Sequence, residues 1–136
     1  MRYFIEFSYK GTAYHGWQKQ KNAVGVQELL ENALSLVLRT TIELTGSSRT
    51  DTGVHAVQQF AHFDLPEGIV LPKNLIVRLN GIVPSDIAVY HLYEVADDLN
   101  SRFAASHRRY EYRITKTKNP FLIDQLYQIV GDPDIA

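Results

Sequence analysis

The sequence contains no cysteine, one methionine and one tryptophan. Without cysteine, disulfides and thiolate metal sites are excluded. No apolar run approaches the roughly 20 residues a membrane-spanning helix needs. Met1 leads at once into an alternating run, not into a basic stretch and an apolar block, so nothing resembles a signal peptide. Neither sign of charge dominates: 14 Lys and Arg stand against 15 Asp and Glu, for a net charge of -1. Total charge therefore names no polyanionic partner. No glycine-rich run follows a strand and opens a helix, so phosphate-loop and dinucleotide fingerprints are missing. No paired-carboxylate glycosidase arrangement can be read either. His55 and His62 lack the spacing of a helical zinc pair, and no metal site is expected. His62 reads instead as a packed, hydrogen-bonded strand residue. These absences lead to an expectation of a soluble cytoplasmic protein with no membrane partner.

What is present is an ordinary globular composition, 45% hydrophobic and 21% charged over 136 residues. That length suits one domain or two very small ones, and it can bury a core. The charge is unevenly placed. Between residues 100 and 120 lie Arg102, Arg108, Arg109, Arg113, Lys116 and Lys118, opposed only by Glu111. Such a run fits either an anionic partner such as a phosphate backbone or a solvated strand face.

Hydrophobic periodicity orders the elements. Tyr3, Ile5, Phe7 and Tyr9 alternate with Arg2, Glu6 and Ser8, which predicts a half-buried strand over residues 1–9. Residues 10–21, with Gly11 and Gly16, read as a long loop. Val26, Leu29, Leu30, Ala33, Val37 and Leu38 recur at helical spacing, with Glu28 and Glu31 near the start and Arg39 near the end. Ile42 and Leu44 mark a short strand, residues 46–56 a polar loop, and residues 57–64 a strand. Pro72 opens a second helix carrying Leu75, Ile76 and Leu79, closed by Asn80-Gly81. A strand follows over residues 87–95, and a further one where Tyr110, Tyr112 and Ile114 alternate with Glu111, Arg113 and Thr115. The first six elements match a ferredoxin-like, RRM-like split βαβ pattern. The fold class expected is therefore α+β, with a mainly antiparallel sheet and two main helices on one face. Residues 121–130 are apolar and patterned, but 131–136 add no element, which reads as a truncation point within a longer protein.

The densest polar cluster is Ser47-Ser48-Arg49-Thr50-Asp51-Thr52-Gly53-Val54-His55, in a loop between strands, where functional groups are commonly displayed. Arg49 stands two residues before Asp51 and would favour its ionised, nucleophilic form. The plainer reading is a polar turn in which Asp51 caps backbone amides. Tyr110 and Tyr112 share a strand face beside the basic run. They fit base stacking flanked by phosphate-binding cations, or burial in the core.

Three blocks resemble the TruA family of tRNA pseudouridine synthases, in the family's order and with similar intervals. The first is Tyr9-Lys10-Gly11-Thr12-Ala13-Tyr14-His15-Gly16-Trp17-Gln18-Lys19-Gln20, with Lys10 where the family usually has aspartate. The second is Ser48-Arg49-Thr50-Asp51-Thr52-Gly53-Val54-His55-Ala56, followed by His62-Phe63; the family usually has Gly for Ser48 and often Ala for Thr52. The third runs from Arg102-Phe103-Ala104-Ala105-Ser106 through His107-Arg108-Arg109-Tyr110-Glu111-Tyr112, with Ser often replacing Ala104. The resemblance spans nearly all of the chain and implies that residues 1–136 are the N-terminal, catalytic-aspartate half of such an enzyme.

It further implies that Asp51 is the catalytic residue, that Arg49 helps displace the target base, and that Tyr110 packs against the uracil. Arg108, Arg109 and His55 are candidate RNA contacts. The implied reaction converts uridine to pseudouridine at tRNA positions 38 to 40, in the anticodon arm, without a cofactor. The implied assembly is a homodimer, and the second half of each family member completes the active site, so this half alone is expected to be inactive. The competing readings are a non-catalytic RNA-binding module, which needs no exposed aspartate, and a metal-dependent hydrolase, which needs a ligand cluster.

Overall fold

A computed structural model describes residues 1–132. The chain forms two compact units, Met1–Ser106 and His107–Ala136. The first unit contains β1 (Arg2–Tyr9), α1 (Val26–Leu38), β2 (Thr45–Gly46), β3 (Ala56–Asp64), α2 (Leu75–Ile82), β4 (Ile87–Val95) and a one-turn helix α3 (Ser101–Ala104). Its sheet has the order β2-β3-β1-β4, with every pairing antiparallel. This is the mixed α and β architecture expected, in the ferredoxin-like arrangement.

Strand alternation in β1 divides the sheet's two faces. Ile5, Phe7 and Tyr9 are buried, and Ile5 pairs across with Ala61 on β3 and Leu92 on β4. The buried stripe of α1 (Val26, Leu30, Ala33, Leu34, Val37 and Leu38) and Leu75 and Leu79 of α2 share a core with that face. The spacing of these residues is why α1 forms and where it docks. Phe4, Glu6 and Ser8 line the opposite face, where Glu6 accepts from Gln58 Nε2 and from the Tyr93 hydroxyl, both at 2.9 Å.

Three expectations are shifted. Ile42 and Leu44 are buried but lie before the strand, which begins at Thr45. The backbone there is committed to α1 side chains instead of β3. Leu44 N–H donates to Glu31 Oε1 at 2.8 Å, Leu44 C=O accepts from Gln27 Nε2 at 2.7 Å, and Ile42 N–H donates to Ser35 Oγ at 2.9 Å. Glu31 is thus a buried acceptor, not merely a helix-start charge. Secondly, α2 begins at Leu75, after a turn in which Leu75 N–H bonds Pro72 C=O, and it runs past Asn80-Gly81 to Ile82. Asn80 does not end the helix. Its side chain brackets Val89 on the edge strand β4, accepting from Val89 N–H and donating to its C=O, each at 2.8 Å.

The third shift lies in the second unit. Only Ile114–Thr115 of the expected strand over residues 110–115 is extended (β5), paired in parallel with Tyr127–Gln128 (β6). Tyr110 and Tyr112 fall outside it. Their backbones gain no ladder partner, and alternation alone does not make a strand. Both side chains are exposed in this chain.

Candidate active-site loop

Residues 46–56 connect β2 to β3 and carry the polar cluster. Burial alternates along their middle: Ser48 and Thr50 are half-buried, Arg49 and Asp51 exposed. Arg49 and Asp51 are thus the side chains that this stretch presents to solvent. At Asp51 the chain turns. Val54 N–H bonds Asp51 C=O at 3.1 Å, and Gly53 takes φ +80° inside that turn. This left-handed value at the third position of a four-residue turn is what glycine supplies without strain. Among the described residues, neither the Arg49 guanidinium nor the Asp51 carboxylate bonds another protein group. Asp51 does not cap backbone amides, as the plainer reading required.

The loop over residues 10–21 lies directly against this segment. Trp17 N–H donates to Thr50 C=O at 3.3 Å and Gly53 N–H to Tyr14 C=O at 3.2 Å. Gly11 N–H donates to His55 Nδ1 at 2.8 Å, so His55 helps to hold the two loops together. Gly16, at φ +78°, passes so close that a Cβ there would stand 2.2 Å from Thr50 O. Trp17 is buried and stacks on Phe7 with ring centroids 5.1 Å apart, anchoring the loop in the core. Tyr14 is held from the other end by the Asp86 carboxylate. Burial, and then that bond, push its phenol well above the usual range, so it remains a neutral donor. Lys10 is exposed, and its N–H donates to Asp86 C=O at 2.9 Å.

Beneath the displayed pair lies a buried polar chain. The Tyr9 hydroxyl donates to Gln59 Oε1 at 3.0 Å and stands 2.7 Å from Thr50 Oγ1; Gln59 Nε2 donates to Ser48 C=O at 2.9 Å. Burial raises the Tyr9 pKa, against the opposing effect of the Thr50 bond. Alternation in residues 1–9 places Tyr9 on the apolar face of β1 but does not mark Gln59. The available signal was Gln59 itself, a polar residue opposite Phe7 at a core-facing register of β3.

His62 is packed and bonded, as expected. Its Nδ1 accepts from Ser101 N–H at 3.1 Å, while the Ser101 hydroxyl donates to Thr45 C=O at 2.9 Å. Burial, and next the Arg2 charge, lower its pKa and favour the neutral ring. The described residues hold no group of three or more His, Cys, Asp or Glu placed to bind a metal. Nor do they include a helix long and apolar enough to cross a membrane.

The remaining candidates belong to the second unit. Tyr110 is 62% exposed. Arg109 pairs with Glu111 at 3.0 Å, and Arg113 holds the same carboxylate at 3.2 Å. Arg108 is also exposed.

Comparison with known proteins settles the family. A family model described as tRNA pseudouridine synthase matches residues 6–104, which include the whole loop pair. The chain belongs to the tRNA pseudouridine synthase family. Among named members it is 44% identical over 128 residues to "tRNA pseudouridine synthase A" of Azobacteroides pseudotrichonymphae, covering 94% of this chain and 51% of that protein. It is 44% identical over 133 residues to the protein of that name from Bacteroides thetaiotaomicron, covering 98% and 49%. For the Bacteroides fragilis protein of that name the figure is 46% over 129 residues, covering 94% and 51%. The chain spans about half the length of these curated relatives.

Proposed function

We propose that the protein containing this chain converts uridine to pseudouridine in tRNA, at positions 38 to 40 of the anticodon arm, with Asp51 as its catalytic residue. The observation that carries this reading is the exposure of Arg49 and Asp51 on a braced loop inside the matched region. The reaction breaks the N1–C1′ bond, turns the uracil and rejoins it through C5. Nothing is oxidised and no group is donated, so one carboxylate suffices without a cofactor. It acts either by attacking the nucleotide or by taking a sugar proton. The uridine must first leave its stack, at a cost of a few kcal/mol that binding to flanking RNA offsets.

In this proposal Arg49 helps to displace the base and Tyr110 packs against the uracil. Arg108, Arg109 and His55 contact the RNA. The working form is a cytoplasmic homodimer, with each site completed by chain beyond these residues. The 136-residue chain alone is then inactive.

The test is Asp51→Asn in a full-length protein, assayed by tritium release from tRNA labelled at uridine C5 and by filter binding. Asparagine is nearly isosteric but lacks the charge, so turnover should vanish. Phosphate contacts to arginine and lysine should keep tRNA bound. Near-normal turnover by Asp51→Asn would overturn the assignment. Loss of both binding and turnover would favour a structural role for Asp51.

A further inference from the structure

We infer that Tyr9, Gln59 and Thr50 form a positioning device that sets the direction in which Arg49 and Asp51 face. The inference rests on the reading of Asp51 as catalytic and concerns residues that do not touch the reacting atoms. Tyr9 is 3% exposed and Gln59 4%. The donor and acceptor roles in this hydrogen-bond network can be assigned. The single Tyr9 proton goes to Gln59 Oε1, so Thr50 Oγ1 donates to the Tyr9 oxygen. Gln59 Nε2 then donates to Ser48 C=O, which fixes the orientation of the amide.

The chain therefore grips residues 48 and 50 and leaves residues 49 and 51 to face outward. Trp17 N–H closes the arrangement by taking Thr50 C=O. No buried side-chain polar atom among the described residues lacks a partner, so losing one link strands another group in the core. The raised Tyr9 pKa is consistent with this, because the link requires the phenol to keep its proton. The arrangement also explains why polar residues occupy core-facing positions on β1 and β3, where packing alone would favour apolar ones. A carboxylate displaced by about 1 Å from its reacting geometry loses on the order of 100-fold in rate. That is the scale on which a positioning link acts.

The test uses Tyr9→Phe, Thr50→Val and Thr50→Ser in the full-length protein. Tyr9→Phe keeps the ring and its packing, and Thr50→Ser keeps the hydroxyl. Tyr9→Phe and Thr50→Val should each lower kcat by roughly 10- to 100-fold, with KM changed by less than about threefold, and Thr50→Ser should restore most of kcat. Amide hydrogen exchange supplies an arm independent of activity. Exchange at Gly53 and Val54 should rise about tenfold in Tyr9→Phe while Ile5 and Phe7 in β1 stay protected. A uniform rise across loop and strand, with wild-type kcat per folded molecule, would make the role structural and overturn the inference. So would an unchanged kcat in Tyr9→Phe and Thr50→Val beside a dead Asp51→Asn, and that result would leave the function standing. An active Asp51→Asn would instead sink the function, and the exchange arm would still decide whether the chain holds the loop.

Discussion

The two units of this chain use similar residues in opposite ways. The first buries Phe7, Phe63, Trp17 and the stripe of α1 in one core, and its loops hang from that core through named bonds. In the second, none of the described residues is buried. Tyr112, Phe121 and Val130 are almost wholly exposed, and β5 and β6 are joined by Arg113 C=O to Tyr127 N–H and Thr115 C=O to Ile129 N–H, both at 2.8 Å. The comparison separates two things that a hydrophobic pattern can mean. In the first unit the apolar side chains find facing surfaces within the unit itself, and in the second the described ones do not.

The sharpest way to break that comparison is a core deletion. Leu34→Ala removes a fully buried side chain from α1 and should cost about 2–5 kcal/mol, read as a lowered urea midpoint. A loss below about 1 kcal/mol would mean that the core of the first unit is not closely packed. Next in size is Gly16→Ala. The added Cβ would meet Thr50 O while the backbone holds a positive φ, so about 2–4 kcal/mol should be lost. The damage should also appear as faster exchange at Gly53, whose N–H reaches Tyr14. Unfolding at wild-type denaturant with Gly53 still protected would show that the loops are not braced as described.

A smaller effect is expected from pH. His62 has its pKa lowered in the folded state, so folding favours the neutral ring. The unfolded chain binds the proton more readily. Stability should therefore be fully present above about pH 6.5 and fall as the pH drops below that value. The lowered Asp64 and Glu6 carboxylates titrate in a separate, more acidic window. His62→Asn offers an amide oxygen to Ser101 and should flatten the urea-midpoint profile between pH 7 and pH 5; an unaltered profile would remove His62 as its source. The smallest effect belongs to the second unit. Phe121→Ala should change the unfolding midpoint by no more than about 0.5 kcal/mol, because the ring is 89% exposed. A loss of core size there would erase the contrast between the units.

Much of the fold is legible in the sequence. The alternation in residues 1–9 and the stripe from Val26 to Leu38 placed β1 and α1 closely, because each period is set by local backbone geometry. The polar loop over residues 46–56 stands out for a different reason, the density of polar side chains between two strands. Less visible were the bounds of elements whose ends are decided by distant partners. Leu44 was expected in a strand, but its N–H and C=O are taken by Glu31 and Gln27, 13 and 17 residues earlier. Asn80 was read as a helix stop, but it braces Val89.

The sequence by itself determined which residues of β1 and α1 face the core and which segment carries the arginine and aspartate, since strand and helix periods depend on neighbouring residues. Tertiary structure alone decided what stands behind that segment. Tyr9 and Gln59 lie 50 residues apart, and Gly11 and His55 lie 44 apart. Their bonds exist only because antiparallel pairing of β1 with β3 lays one loop against the other. A hydrogen bond is specified by distance and direction, and for residues so far apart in the chain the fold supplies both.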